Sequence, residues 1–101
     1  MATTSKALVR TAATTNTATT LYTVPAATTT VVTNIVVTNT AASAGTFTLA
    51  LNGVALASAV SVAANSITAI DLKQVLAATH TITGGASATT VNFHISGVEI
   101  S

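Results

Sequence analysis

Read for alternation, the chain is a series of short apolar runs separated by turn residues. Phe47, Leu49 and Leu51 fall on one parity and Thr46, Thr48 and Ala50 on the other, the two-residue period of a half-buried strand. Asn52-Gly53 follows at once. That pair tolerates left-handed backbone at both central positions, so it predicts a two-residue hairpin turn with Val54 to Val62 returning as the partner strand. The return has a helical rival, because Leu56, Val60 and Ala64 are spaced four apart and alanine favours helix. The hairpin turn and the alternation of Val60 with Val62 decide for strand.

Similar reasoning places the other elements. Leu21 to Val24 reads as a strand closed by Pro25, which cannot donate to a ladder. Val31 to Asn39 is β-branched almost throughout but lacks clean alternation, so it is expected to be covered on both faces, by the core and by a neighbouring subunit. After an Ala64-Asn65 turn, Ser66 to Leu72 is expected as a strand and Lys73 to Ala77 as one helical turn. Thr79 to Thr83 and Thr89 to Ser96 follow as strands joined by a Gly84-Gly85 loop. In the last of these, Val91, Phe93 and Ile95 share one parity while Val98 and Ile100 take the other. A β-bulge at Gly97 would keep all five on the buried face.

Residues 1–18 are low-complexity Thr/Ala sequence with almost no large apolar side chain. They read as an extended N-terminal arm, with a short strand over Ala7 to Arg10, leaving 19–101 as the compact unit. Short strands with turn signals every eight to twelve residues indicate an all-β, antiparallel β-sandwich or jelly-roll-like domain. Phe47, Leu49, Leu51, Val91, Phe93 and Ile95 are the expected core.

Composition makes that core thin. Alanine and threonine dominate the 101 residues, and Tyr22, Phe47 and Phe93 are the only aromatic side chains. Burying a Leu or Phe is worth about 1.5–3 kcal/mol, whereas Ala and Thr bring little apolar area. Contacts with neighbouring chains are therefore expected to supply part of the stability. The charged residues are Lys6, Arg10, Asp71, Lys73 and Glu99, for a net charge of +1. Two cations in the arm make no clustered basic footprint, so nucleic acid is not an expected partner. Nearly neutral surfaces tend to associate. With no cysteine there is no disulfide framework and no Cys-ligated zinc. Met1 to Thr15 lacks the apolar segment of a signal peptide. The most membrane-like run, Leu49 to Ala64, is too short and is broken by Asn52-Gly53 and by serines, so no membrane partner is expected.

Candidate chemistry is sparse. His80 and His94 could join Asp71 or Glu99 around a metal, but no HxH or HxxxH spacing links them, and no metal site or cofactor is expected. A histidine, Asp71 and one of many serines could nominally form a triad, yet the chain has no GxSxG elbow, and no catalytic residue is assigned. Gly84-Gly85 lacks the GxxxxGK[ST] pattern of a phosphate loop. The TxT pairs fall at irregular intervals, unlike the regular ranks of an ice-binding surface.

The pattern TTLYTVPAATTTVVTNIVVTNTAASAGTFTLALNG, then VSVAANSITAIDL, then VNFHISGVEI resembles small structural proteins of tailed-bacteriophage virions. The resemblance spans roughly Thr19 to Ile100 and consists of fold residues rather than a site. One departure is Ala78-Thr79-His80, where such proteins often carry a glycine-acidic turn. The resemblance implies a non-enzymatic β-sandwich that decorates the head, or alternatively a minor tail or neck accessory protein. A carbohydrate- or receptor-binding virion module is a further alternative. It implies the major capsid protein and the chain itself as partners, in a homo-oligomer expected to be a trimer, in virions assembled in the host cytoplasm. On this reading Lys6, Leu8 and Arg10 contact the capsid or a neighbour through the arm. Val32, Ile35, Val36 and Val37 form the subunit interface.

Overall fold

The hairpin centred on Asn52 and Gly53 forms as the alternation predicts, both residues taking left-handed backbone with φ of 50° and 79°. It joins the fourth and fifth of eight strands in a computed structural model that describes residues 2–101. The strands are β1 (Thr3–Ala12), β2 (Thr20–Thr23), β3 (Thr29–Asn39), β4 (Gly45–Leu51), β5 (Val54–Val62), β6 (Ser66–Leu76), β7 (Thr81–Ala86) and β8 (Val91–Ile100). They form two four-stranded sheets, β1-β8-β3-β6 and β2-β7-β4-β5. The antiparallel pairs are nested about the central hairpin: β4 with β5, β3 with β6, β2 with β7 and β1 with β8. Such a rolled-up hairpin is an eight-stranded jelly roll, and the chain is an all-β sandwich.

Alternation places the core between the sheets. The first sheet contributes Val32, Ile35 and Val37 from β3 and Val91, Phe93 and Ile95 from β8. Phe47 and Leu49 of β4, Ile82 of β7 and Val62 of β5 answer from the second. Leu51 packs at the margin. Phe47 and Phe93 meet edge to face across the layers, with ring centroids 6.3 Å apart and planes at 72°, a favoured geometry for the aromatic quadrupoles. Asn39 is buried together with Thr28 and Thr30, the polar residues of the interior. Its amide donates to the carbonyls of Ser43 (2.9 Å) and Val62 (3.3 Å) and its oxygen accepts from the Ala41 amide (3.0 Å), so no polar group is stranded.

The N-terminal residues differ most from expectation. Residues 3–12 are not a separate arm but the edge strand of the first sheet, paired with β8 from Thr3↔Ile100 to Ala12↔Asn92. Leu8, Val9 and Ala13 are buried. Beyond the strand, the Ala13 amide bonds the Val91 carbonyl and the Ala86 amide bonds the Thr14 carbonyl. The domain thus begins at Thr3 rather than near Thr19. Ordering this stretch is offset by a full backbone ladder and by two adjacent apolar side chains that a bulge turns to the same face.

That bulge runs across the sheet. Ala7 faces Ser96 and Val9 faces Ile95, leaving Leu8 unmatched on β1. Val32 faces Gly97 and Asn34 faces Ser96, leaving Thr33 unmatched on β3. The irregularity expected within β8 therefore sits on both of its neighbours, beside Gly97. A Cβ at Gly97 would overlap the Val31 carbonyl oxygen and come within 2.9 Å of Leu8 Cδ1, so glycine is what lets the two bulged strands close in. Because β8 itself keeps one parity, Val98 does not rejoin the buried face, and Glu99 takes the inward position instead.

Other corrections follow from the same register. The bulge accounts for the imperfect alternation of β3: Val32, Ile35 and Val37 are inward on either side of Thr33-Asn34. Lys73 to Ala77 forms no helical turn, since β6 continues to Leu76 against β3. Gly84 and Gly85 are not a loop but lie inside β7, opposite Leu49 and Thr48 of β4. The connection after β1 crosses there, and a Cβ at Gly85 would stand 2.8 Å from the Thr14 carbonyl oxygen. The Ala78-Thr79-His80 turn closes with Thr79 at φ 70° and the Ala77 amide donating to His80 Nδ1 at 3.2 Å.

Candidate functional surface

Glu99 reaches the inner face at one end of the sandwich because β8 never changes parity. From the facing sheet, the Tyr22 phenol of β2 donates to its carboxylate and shares a 2.9 Å hydrogen bond with the Thr30 hydroxyl of β3. Lys6 of β1 approaches the same carboxylate at 3.4 Å. Four strands from both sheets thus meet at one polar cluster. The Tyr22 hydrogen bond, reinforced by Lys6, holds the Glu99 carboxyl below its ordinary range against a smaller opposing effect of burial. Burial pushes the Tyr22 phenol up, and its bond to Glu99 adds to that. Both shifts strengthen the resting charge states. The cluster is thereby built as a latch between sheets, not as an acid–base pair poised near neutrality.

The other titratable residues are scattered. His94 lies on the outer face of the first sheet between Arg10 and Val36, whereas His80 is in the β6–β7 turn. The two histidines are therefore not brought together. Among the described residues no three His, Cys, Asp or Glu side chains are grouped as metal ligands would be.

Of the residues expected to contact the capsid, Lys6 is tied to Glu99 and Leu8 belongs to the core. Arg10 remains exposed. Lys6 and Arg10 do border one groove of about 390 Å³, together with Ser5, Thr33, Ser96 and Val98. Of the expected interface residues, Val32, Ile35 and Val37 are fully buried in the chain's own core and have nothing left to offer a neighbour. Only Val36 faces outward, half-buried between Ala69 and His94.

The exposed apolar surface is elsewhere. β5 and β6 are the outer strands of the two sheets on the same side of the sandwich. Val54 and Ile67 are each 71% exposed and Val75 68%, with Leu56 and Val60 also open. A groove of about 230 Å³ runs between the two strands, lined by Leu51, Val54, Leu56, Gln74, Val75 and His80. Sequence reasoning missed this side because both parities of β6 carry apolar residues: Ile70, Leu72 and Leu76 turn in, and Ile67, Ala69 and Val75 turn out. Only the Asp71/Lys73 pair on one parity marked that parity as the outward one.

No family model matches the chain, and no curated protein matches it. Among solved structures it is similar to the Podospora anserina GH26-CBM35 beta-(1,4)-mannanase, at 13% identity and a TM-score of 0.49. The match covers 95% of this chain and 27% of that one, so the chain spans about a quarter of the length of the mannanase chain.

Proposed function

We propose that the chain is a non-catalytic structural protein of a tailed-bacteriophage virion, binding the head surface as a decoration protein. The observation that carries this reading is the placement of its exposed side chains. Large apolar residues line the β5–β6 side, hydroxyl-rich strands cover the rest, and the inward carboxylate is committed to a latch. Such a surface suits permanent contact better than chemistry. The jelly roll is shared by viral capsid and lectin domains, so the fold accommodates the reading without selecting it.

The major capsid protein is the partner, and many copies of a modest contact give a layer held by avidity. The groove beside Lys6 and Arg10 offers a basic margin for acidic groups on the shell, each exposed pair worth about 0.2–1 kcal/mol and weakened by salt. A glycan-binding role is less well supported. Phe47 and Phe93 are buried, and Tyr22 is partly buried with its ring packed against the core, so the chain presents no fully open aromatic platform of the kind sugars stack on.

The test is to add purified protein to virions that lack it and locate it by electron microscopy after sedimentation. Retention on heads is expected. Retention only on tails or necks would support the accessory alternative, and no retention would remove the virion role.

A further inference from the structure

The sandwich has four edge strands, and three of them are poor templates for another strand. β2 is only four residues long. β5 changes register twice against β4 and carries Ala59 with φ 49°, so its free edge is not straight. β1 is bulged at Leu8 and bears both Lys6 and Arg10. Lysines, bulges and short strands are the usual means of blunting an edge.

β6 is different. It runs eleven residues, from Ser66 to Leu76, with no proline and with β3 on one side only. Its odd positions form an outward row: Ile67, Ala69, Asp71, Lys73 and Val75, all exposed. β6 has a bulge and a lysine of its own, Leu72 and Lys73 standing together against Thr33 of β3, but the odd positions stay outward on both sides of it, so the row that β6 presents continues through. Asp71 and Lys73 have no ion-pair partner among the described residues, where Lys6–Glu99 is the only salt bridge.

We propose that β6 pairs with β6 of a second copy, antiparallel about a two-fold axis at Leu72, joining the two first sheets into one eight-stranded sheet. The charge pattern selects both partner and register. A two-fold axis on a residue keeps inward and outward rows continuous, whereas an axis between residues would set inward side chains against outward ones. With the axis at Leu72, Asp71 faces the second copy's Lys73 and Lys73 faces its Asp71, so two ion pairs form. Ala69 then lies opposite Val75, twice, and Leu72 meets its own counterpart. Moving the axis by one residue stacks Asp71 on Asp71 or Lys73 on Lys73, which is repulsive. A surface complementary to itself in this way is what a closed two-fold dimer requires. Val54 and Leu56 of β5, beside Val75 in the adjoining groove, extend the apolar contact. The association is a dimer in place of the trimer expected from the sequence, and it stands whether or not the protein belongs to a virion.

Sedimentation equilibrium of the purified chain tests this with two charge variants, Asp71→Lys and Lys73→Asp. Both sites are exposed, and unchanged melting of the variants at low protein concentration confirms that the fold is kept. Wild type is expected to be a dimer. Each single variant turns two attractive cross-strand pairs into two repulsive ones and should dissociate roughly tenfold more readily or worse. An equimolar mixture of the two variants should regain the dimer, because the two lysines on β6 of one chain then face the two aspartates on β6 of the other. The double exchange, Asp71→Lys with Lys73→Asp in one chain, should regain it as well. A wild type that stays monomeric at the highest concentration reached, single variants that dimerise normally, or a mixture that fails to recover would each overturn the proposal. None of these results depends on particles, so the virion reading is tested apart from it.

Discussion

Tyr22 and Glu99 fasten the two sheets at one end: the phenol on β2 donates to the carboxylate that β8 carries inward from the opposite layer. Seventy-seven residues separate them in the chain. The pair gives stability a definite pH dependence. Glu99 is held below its ordinary value, so its contribution is complete above that value and is lost as pH falls through the lowered one. Tyr22 is raised, so its contribution is complete below the ordinary phenol value and is lost as pH rises through the raised one. Tyr22→Phe should cost about 1.5–2 kcal/mol near neutral pH, the lower part of the range for a hydrogen bond to a charged group. Melting temperatures of the two proteins should converge in acid as Glu99 protonates. Parallel curves across the acid range would show that the bond does not depend on the Glu99 charge, and coincident curves that it contributes nothing.

Phe93 is fully buried and meets Phe47 edge to face. Phe93→Ala should cost about 3–5 kcal/mol, a large share of the stability of so small a core. Urea unfolding is the measurement, and a midpoint matching wild type would take Phe93 out of the core.

Gly97 and Gly53 should respond differently to alanine. At Gly53 the backbone is left-handed but a Cβ meets nothing within 4 Å, so the cost is that of the conformation, about 1 kcal/mol. At Gly97 a Cβ strikes the Val31 carbonyl in the middle of a sheet, which cannot yield without breaking the ladder between β3 and β8. Gly97→Ala should therefore be the more destabilising in thermal melts, and equal effects would contradict the close approach.

Removal of residues 1–18 should unfold or strongly destabilise the domain, since Leu8, Val9 and Ala13 leave the core and β8 loses one of its two partners. Circular dichroism of the truncated chain would reveal this. A stable fold without β1 would restore the picture of a dispensable arm.

The parts of this fold legible in the sequence are those written in a two-residue period or a two-residue turn. Phe47, Leu49, Val91, Phe93 and Ile95 announced the core, and Asn52-Gly53 announced the hairpin. What was not legible depends on register. The short strand over Ala7 to Arg10 was legible, but Leu8 and Val9 are adjacent, so their joint burial and the full length of β1 were not evident without the bulge beside Gly97. Gly84-Gly85 has the composition of a loop, and two glycines inside β7 are explained only by the Thr14 to Asn16 crossing above Gly85 and the close approach of the Thr48 carbonyl and Leu49 to Gly84. Val32, Ile35 and Val37 resembled an interface because a β-branched run reads alike whether its cover is the chain's own second sheet or another subunit. The exposed face of β6 was hidden for the converse reason, its apolar residues being shared between both parities.

The proposal that this domain covers a virion head is decided by a cryo-electron microscopy map of tailed-phage particles assembled in its presence. Discrete densities are expected on the outer shell, into which the elongated sandwich, 45 × 21 × 18 Å, fits as a rigid body. A map in which the shell surface is bare and the density lies on the tail, or is missing from the particle, would refute the decoration role.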